Sequence, residues 1–401
     1  MSKIGLKKCE VCGSNDLIEV LDLGEHPLCD DLVKFNDSRI CNEYPIIIDF
    51  CPMCKTAHQR IQVSKIDLFT KSYHYRARMT GSVLSGMKDL VESCQTKFGS
   101  LANKKVLDIG CNDGSLLNFF KEKGCDTFGI DPTDAVIDST HKSMQAFFDE
   151  ESSLRILNDF GKPDIITFTN VFAHIENLPE LLNSLKILLK KDSLIVIENH
   201  YLGAVLNTNQ FDTFYHEHPR TYSYKSFEYI AKTLGLKLAD AQFVSRYGGN
   251  IRVFLTNNQI NNKSLMKDVI EDHFLNEFEK MSKHVKNWVE YQSKNLKEFV
   301  NKNGKIRSKA FPGRAAILIK LLGLDENHIS AVYEIKGSIK TNHYVPGTRI
   351  PILPEKELYN LDDQTKPILN LAWHIPGEVR ANLLINGYNG EVIDIKPIKA
   401  S

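Results

Sequence analysis

The sequence predicts an α/β protein: a doubly wound sheet in the middle of the chain, a smaller α/β domain after it, and a module folded around a metal ion in front of both. Three observations predict this. Two Cys-x-x-Cys pairs stand at 9/12 and 51/54, buried strands alternate with amphipathic helices from about Lys104, and that alternation resumes after a long helical stretch. At 401 residues the chain is too long for one ordinary core. The expected division is a metal module over 1–68, the doubly wound domain over 69–260, a helical connector over 261–304 and a C-terminal α/β domain over 305–401.

Hydrophobic residues at 42% and charged residues at 25% are ordinary for a globular protein. Basic and acidic residues both number 50, a formal charge of +0, which leaves no compositional case for nucleic acid or a polybasic membrane anchor. No apolar run approaches the ~20 residues that span a bilayer, and the stretch from Met1 to Cys9 has no signal-peptide core. The expectation is a soluble, cytoplasmic protein. All nine cysteines fall at or before Cys125. An odd number crowded into one end of a long chain argues for reduced thiols partly used on a metal.

The metal module comes first. Cys9-Glu10-Val11-Cys12-Gly13 and Cys51-Pro52-Met53-Cys54 both read as knuckles, in which x-x spacing lets two thiolates of one turn reach the same ion. Two knuckles supply the four soft ligands of a tetrahedral zinc, one per chain. A closed shell of four sulfurs leaves no place for water, so the role is structural. Strand-like runs at 17–23 and 44–50 lie between the pairs. The other readings are four unliganded core cysteines or a redox pair, although no thioredoxin-like unit accompanies them. Cys29 and Cys41 lack pair spacing and read as buried residues.

In the middle domain Val106-Leu107-Asp108-Ile109 reads as a buried strand, Gly110-Cys111-Asn112-Asp113-Gly114 as a turn and Ser115-Leu116-Leu117 as a helix start. A second strand over 127–130 ends in Asp131-Pro132. Further strands are expected over 164–169 and 193–198, with an amphipathic helix at about 178–190 between them. Ligands of such sheets sit at the carboxyl ends of the strands. A dinucleotide site needs G-x-G-x-x-G, because backbone must approach a pyrophosphate at the helix N-terminus. Here Asn112 takes the second glycine position and no third follows. The acidic Asp108 with Gly110 and Gly114 instead resembles the first motif of class I methyltransferases, whose Rossmann-like sheet holds S-adenosylmethionine. That resemblance implies cofactor contacts from Asp108, Gly110, Asn112, Asp113, Gly114, Ser115 and Asn170, with Asp131 accepting hydrogen bonds from ribose hydroxyls. The bland alternative is an α/β domain with a structural turn.

Beyond the fourth strand the chain reads Phe211-Asp212-Thr213-Phe214-Tyr215-His216-Glu217-His218. With the paired cysteines, the Asp-Ile-Gly-Cys-Asn-Asp-Gly turn, Asn170-Val171-Phe172-Ala173-His174 and Tyr247-Gly248-Gly249-Asn250-Ile251-Arg252, this resembles the sugar C-methyltransferases of deoxysugar biosynthesis, over essentially the whole chain. The resemblance implies methylation of a carbon beside the keto group of a nucleotide-linked 4-keto sugar. Carbon becomes nucleophilic there as an enolate, once a base removes its proton. His218 is the first candidate for that base and Tyr215 the rival, with Glu217 orienting or polarising one of them and His174 at a strand end hydrogen-bonding the sugar. The same resemblance places a tyrosine of the segment Tyr73-His74-Tyr75-Arg76 over the substrate, with Tyr75 favoured; the other reading is two aromatics packing a linker onto the sheet.

Alternation along an extended segment would point His216 and His218 the same way, which leaves a metal at that pair open, although the H-E-x-x-H pattern of zinc proteases is absent. Two departures concern the substrate. Tyr247 stands where the family commonly has His, and Arg314 follows Ser308-Lys309-Ala310-Phe311-Pro312-Gly313 where relatives carry a lysine loop. Arg grips phosphate bidentately whereas Lys is a point charge, so Arg314 is expected to bind the nucleotide-diphosphate sugar. Lys336 and Lys340 lie beside the same cleft or on solvated surface. Between Asn262 and Asn303 no Gly or Pro interrupts, and apolar residues from Leu265 and Val269 to Phe299 recur at helical spacing. Core packing is the default explanation of that stripe and a dimer seam the lesser one, so the chain is a monomer or homodimer. The rival functions are sugar O-methylation and a non-catalytic zinc and cofactor-binding scaffold.

Overall fold

The computed structural model describes residues 3–68, 76–79, 81–261 and 269–396. Its centre is a seven-stranded sheet made of β1 (Lys105–Ile109), β2 (Asp126–Asp131), β3 (Lys142–Gln145), β4 (Ile165–Thr169), β5 (Leu194–His200), β6 (Lys237–Val244) and β7 (Asn250–Thr256). The order is β6-β7-β5-β4-β1-β2-β3, parallel throughout except for β7 and β6. The chain reverses its winding between β1 and β4, which is where a doubly wound sheet opens a ligand crevice.

The helix Leu178–Leu188 illustrates how sequence sets a layer. Asn177 caps it by accepting from the Glu180 amide, Pro179 sits at its first turn, and Leu178, Leu181, Leu182, Leu185 and Leu188 form its buried stripe. Each of those leucines contributes about 1.5–3 kcal/mol by burial.

The smaller C-terminal sheet also has seven strands, from Val392–Asp394 at one edge through Ile368–Asn370, Ile306–Lys309, Ile329–Glu334 and Pro351–Pro354 to His343–Tyr344. Its last strand, Val33–Lys34, comes from the cysteine module. The module's own sheet, Ile18–Pro27, Glu43–Cys51 and Thr56–Gln59, takes its fourth strand, Arg220–Thr221, from the central domain. The long helix spans Phe274–Asn303 and starts later than its apolar spacing predicts. Glu271 is the physical reason: its buried carboxylate accepts from the amides of Tyr224 and Lys225 and from the Tyr201 hydroxyl, and its carbonyl accepts from the Phe274 amide, which holds 271–273 in a turn. Leu265 lies outside the described residues. Phe274, Phe278, Met281, Val285, Trp288 and Leu296 are buried in a core shared with Ile46 and Phe50 of the cysteine module and Ile317 and Val332 of the C-terminal domain. Core packing therefore accounts for the stripe. Among the described residues no helix is long and apolar enough to cross a membrane. Cys29 and Cys41 are buried, unpaired thiols.

Candidate active site

The four sulfurs of Cys9, Cys12, Cys51 and Cys54 lie within 4.8 Å of one another. Cys9 Sγ is 3.4 Å from Cys54 Sγ and Cys12 Sγ 3.5 Å from Cys51 Sγ, close to the edge of a tetrahedron with Zn–S bonds of about 2.3 Å. Both knuckles turn through positive φ, at Gly13 and Lys55, and close with Gly13 N–H on Cys9 C=O and Lys55 N–H on Cys51 C=O. The donor set fits zinc. It is the one such group of His, Cys, Asp and Glu ligands among the described residues. His216 and His218 do not form another: the chain makes a turn there, with His218 N–H on Tyr215 C=O, so strand alternation does not apply. His216 Nε2 donates to Tyr44 C=O, whereas the His218 ring bonds Thr213 C=O.

At the end of β1 the turn adopts positive φ at Gly110, Asn112 and Gly114. A Cβ at Gly110 would stand 2.3 Å from Val171, so only glycine lets the turn approach the loop after β4. Asp131 Oδ2 accepts from the Asn112 amide at 2.9 Å, and Oδ1 accepts from the Thr133 amide and hydroxyl. Oδ2 thereby keeps an acceptor position. Asp113 accepts from Ser115 and from the Arg78 amide, and Asn112 Oδ1 from the Ala77 amide, which fastens the segment Ala77–Met79 over the turn. Asp108 lies inside the sheet, accepting from Thr167 Oγ1 at 2.7 Å, and burial raises its pKa to about 7. Asn170, at φ 54°, accepts from Asn250 Nδ2. The glycine cradle and the strand-end carboxylate fit a nucleoside cofactor.

Beside this cradle four aromatic rings converge. His218 packs against Tyr215 at 4.1 Å between centroids, His174 at 4.7 Å and His200 at 5.4 Å. His174 ends the short turn Phe172–His174 after β4, and His200 ends β5. His218 Nδ1 donates to Thr213 C=O at 2.9 Å and His174 Nδ1 to Glu217 C=O at 2.7 Å. A carbonyl only accepts, so Nδ1 of His218 carries the proton and Nε2 the lone pair. Burial holds all three histidines neutral, His218 well below its usual pKa and His200 down to about 3. Glu217 moves the other way, raised to about 8 by burial and then by Asp30, and its Oε2 has no hydrogen-bond partner.

Three family models match successive stretches of the chain: a zinc binding domain over 9–69, a methyltransferase domain over 77–241 and a C-methyltransferase C-terminal domain over 245–393. The three matches together mark the chain as a C-methyltransferase. The C-methyltransferase NovU of Streptomyces niveus is 27% identical over 395 residues, 94% of this chain and 92% of that protein. A ubiquinone biosynthesis O-methyltransferase of Actinobacillus pleuropneumoniae serotype 7 (strain AP76) is 32% identical over 116 residues, only 25% of this chain and 47% of that enzyme. Among solved structures, magnesium protoporphyrin IX methyltransferase from Synechocystis PCC 6803 is 15% identical, covers 44% of this chain and 82% of that one, and has a TM-score of 0.33. This C-methyltransferase is thus an S-adenosylmethionine-dependent enzyme with a zinc-binding module.

The C-terminal domain meets the segment that leads into Tyr215. Arg314 Nη1 donates to Thr213 Oγ1 at 3.1 Å, its Nε lies 3.2 Å from Asp212 Oδ2, and its guanidinium stacks over Trp373. Trp373 Nε1 donates to Asp212, and Lys396 Nζ sits 3.6 Å from the Trp373 ring. Burial, only partly offset by Asp212, lowers Lys396 to about 8. Arg314 Nε and Nη2, Asp212 Oδ1 and His374 Nδ1 are buried without a hydrogen-bond partner. Lys340 Nζ donates to Phe311 C=O, whereas Lys336 is exposed. Tyr75 lies outside the described residues. Sequence reasoning passed over His200, Asp212, His374 and Lys396. His200 had a signal, since it ends a strand on the ligand side of the sheet just as His174 follows one.

Proposed function

We infer that this C-methyltransferase methylates a ring carbon beside the keto group of a nucleotide-linked sugar, by way of an enolate. The observation that carries this reading is His218, a neutral imidazole with its lone pair fixed on Nε2 and its ring packed against Tyr215, His174 and His200. His218 Nε2 takes the proton from carbon, and Tyr215 is the second group able to reach it. Glu217, protonated below about pH 8, donates a hydrogen bond to the oxygen on which enolate charge develops. His174 orients the sugar. Arg314 and Lys396 outnumber Asp212 in their buried cluster, and their unspent positive charge suits the phosphates of the nucleotide. S-adenosylmethionine, held by Gly110, Asn112, Gly114, Ser115 and Asp131, supplies an electrophilic methyl group. Closure of the three domains around the site keeps water from the enolate.

The test uses S-adenosylmethionine labelled with ¹³C in the methyl group and a panel of nucleotide-linked keto sugars. Carbon NMR should place the new methyl on ring carbon, and His218→Asn should lower kcat by about 10²–10⁴, the usual worth of a positioned general base. A methyl group on oxygen would overturn the reading.

A further inference from the structure

We propose that the zinc module is the positioning element of the catalytic segment, with Gln59 and Arg220 as positioning residues that hold Tyr215, Glu217 and His218 in register with His174.

Gln59 ends the strand Thr56–Gln59 and is buried. Its side-chain Nε2 donates to Phe214 C=O at 3.1 Å and to Tyr215 C=O at 3.4 Å, while its backbone amide donates to Pro219 C=O at 2.9 Å. One residue of the zinc module therefore grips the entry and the exit of the turn that carries Tyr215, Glu217 and His218. The next residues continue the grip, because Arg220 pairs with His58 and Thr221 with Ala57 in an antiparallel ladder.

Arg220 reaches further. Its guanidinium is fully buried and donates to Glu10 Oε2 at 2.5 Å, Glu176 C=O at 3.0 Å, Ile175 C=O and Tyr222 Oη. Glu10 lies between the ligands Cys9 and Cys12, and Ile175 and Glu176 directly follow His174. A single side chain thus ties one zinc knuckle to the backbone beside His174, from a position two residues after His218. The other knuckle is docked as firmly. Cys54 C=O accepts from Ser223 Oγ and Ser226 Oγ at the start of the helix Tyr224–Thr233, and Thr56 Oγ1 bridges Cys54 Sγ and Ser226 Oγ. Cys51 and Cys54 form the turn of the hairpin whose second strand ends in Gln59. Zinc closing that turn fixes the strand, and the strand fixes the catalytic segment.

A module that merely adds stability would not need Gln59 spent on the carbonyls of 214, 215 and 219, nor Glu10 on the Arg220 side chain that holds the carbonyls of 175 and 176. A 1 Å displacement of a general base costs orders of magnitude in rate, while the Gly110–Ser115 turn and Asp131 make none of these contacts with Gln59 or Arg220.

The experiment uses the full-length zinc-loaded enzyme with Gln59→Met, which removes the amide at nearly constant length, and Arg220→Lys, which keeps the charge and loses the fork. Zinc content should remain one per chain and the affinity for S-adenosylhomocysteine should stay within about twofold. Amide hydrogen exchange of residues 214–218 should rise at least tenfold, and kcat should fall about 10–100-fold with KM changed less. Unchanged exchange of 214–218 in Gln59→Met, or raised exchange with undiminished kcat, overturns the proposal. So does a parallel fall of kcat and cofactor affinity, which marks general destabilisation. If Arg220→Lys fails to fold, Gln59→Met alone decides. The kinetic readout rests on the assignment of His218 as base, but the exchange readout does not. A loosened segment in an enzyme that methylates oxygen would sink the enolate reading and leave the grip on the segment standing.

Discussion

Glu217 and His218 are adjacent in sequence and are driven in opposite directions by the same burial, the carboxyl raised to about 8 and the imidazole well below its usual value. Both therefore sit in their uncharged forms at neutral pH, one with a proton to offer and the other with a lone pair. The sign follows for activity: the acid form of Glu217 persists below about pH 8 and is lost as pH rises through it. The pH–rate profile should be flat between about pH 6.5 and 7.5 and fall on the alkaline side. Glu217→Gln keeps a hydrogen-bond donor that does not titrate, so it should retain activity within about tenfold and lose the alkaline limb. An unchanged limb in the variant would remove Glu217 from the reaction. Tyr215, Glu217 and His218 stood out in the sequence because ionisable residues rarely cluster in a buried stretch. Asp212, His374 and Lys396 did not, because their positions along the chain are far apart and only the packing of Trp373 brings them together.

At the scale of elements, the turn after β1 was legible because a strand, two glycines and a helix start follow one another without a gap. Its chemistry was less so. Asp108, Asn112 and Asp113 spend side-chain hydrogen bonds on Thr167, Ala77, Arg78 and Ser115, and Asp131 is the carboxylate with acceptor capacity left at the strand end. Asp131→Ala should weaken cofactor binding by about 1.5–3 kcal/mol in calorimetry; unchanged affinity would show the carboxylate to be structural. Two-residue strands such as Val33–Lys34 and Arg220–Thr221 are too short to carry a period of two, so nothing in the sequence announced that they join sheets outside their own domains. The strand Lys142–Gln145, four residues long with Met144 alone buried, hid for a similar reason.

The whole molecule is interleaved. The zinc module donates a strand to the C-terminal sheet, receives one from the central domain, and shares its core with the helix Phe274–Asn303. Cys51→Ser should therefore lower the stability of the entire chain in one calorimetric transition; an early, separate transition of the N-terminal module would contradict this. Buried neutral histidines give the molecule an acid limit. His200, His216, His218 and His374 all have lowered pKa values, so below the unfolded value near 6.5 the unfolded chain binds protons that the folded chain refuses. Stability falls as pH drops, by up to about 1.4 kcal/mol per pH unit per histidine, and the raised carboxyls of Asp108 and Glu217 oppose only part of it. Urea titrations at pH 7 and pH 5 would detect the loss.

The central claim is that His218 makes a carbon nucleophile, and proton exchange isolates that step. With the keto sugar and S-adenosylhomocysteine, which has no methyl to give, the enzyme in deuterated water should exchange the proton beside the ketone, and His218→Asn should slow this exchange by about 10²–10⁴. No exchange at any ring carbon from an enzyme that still methylates the same sugar would contradict the account.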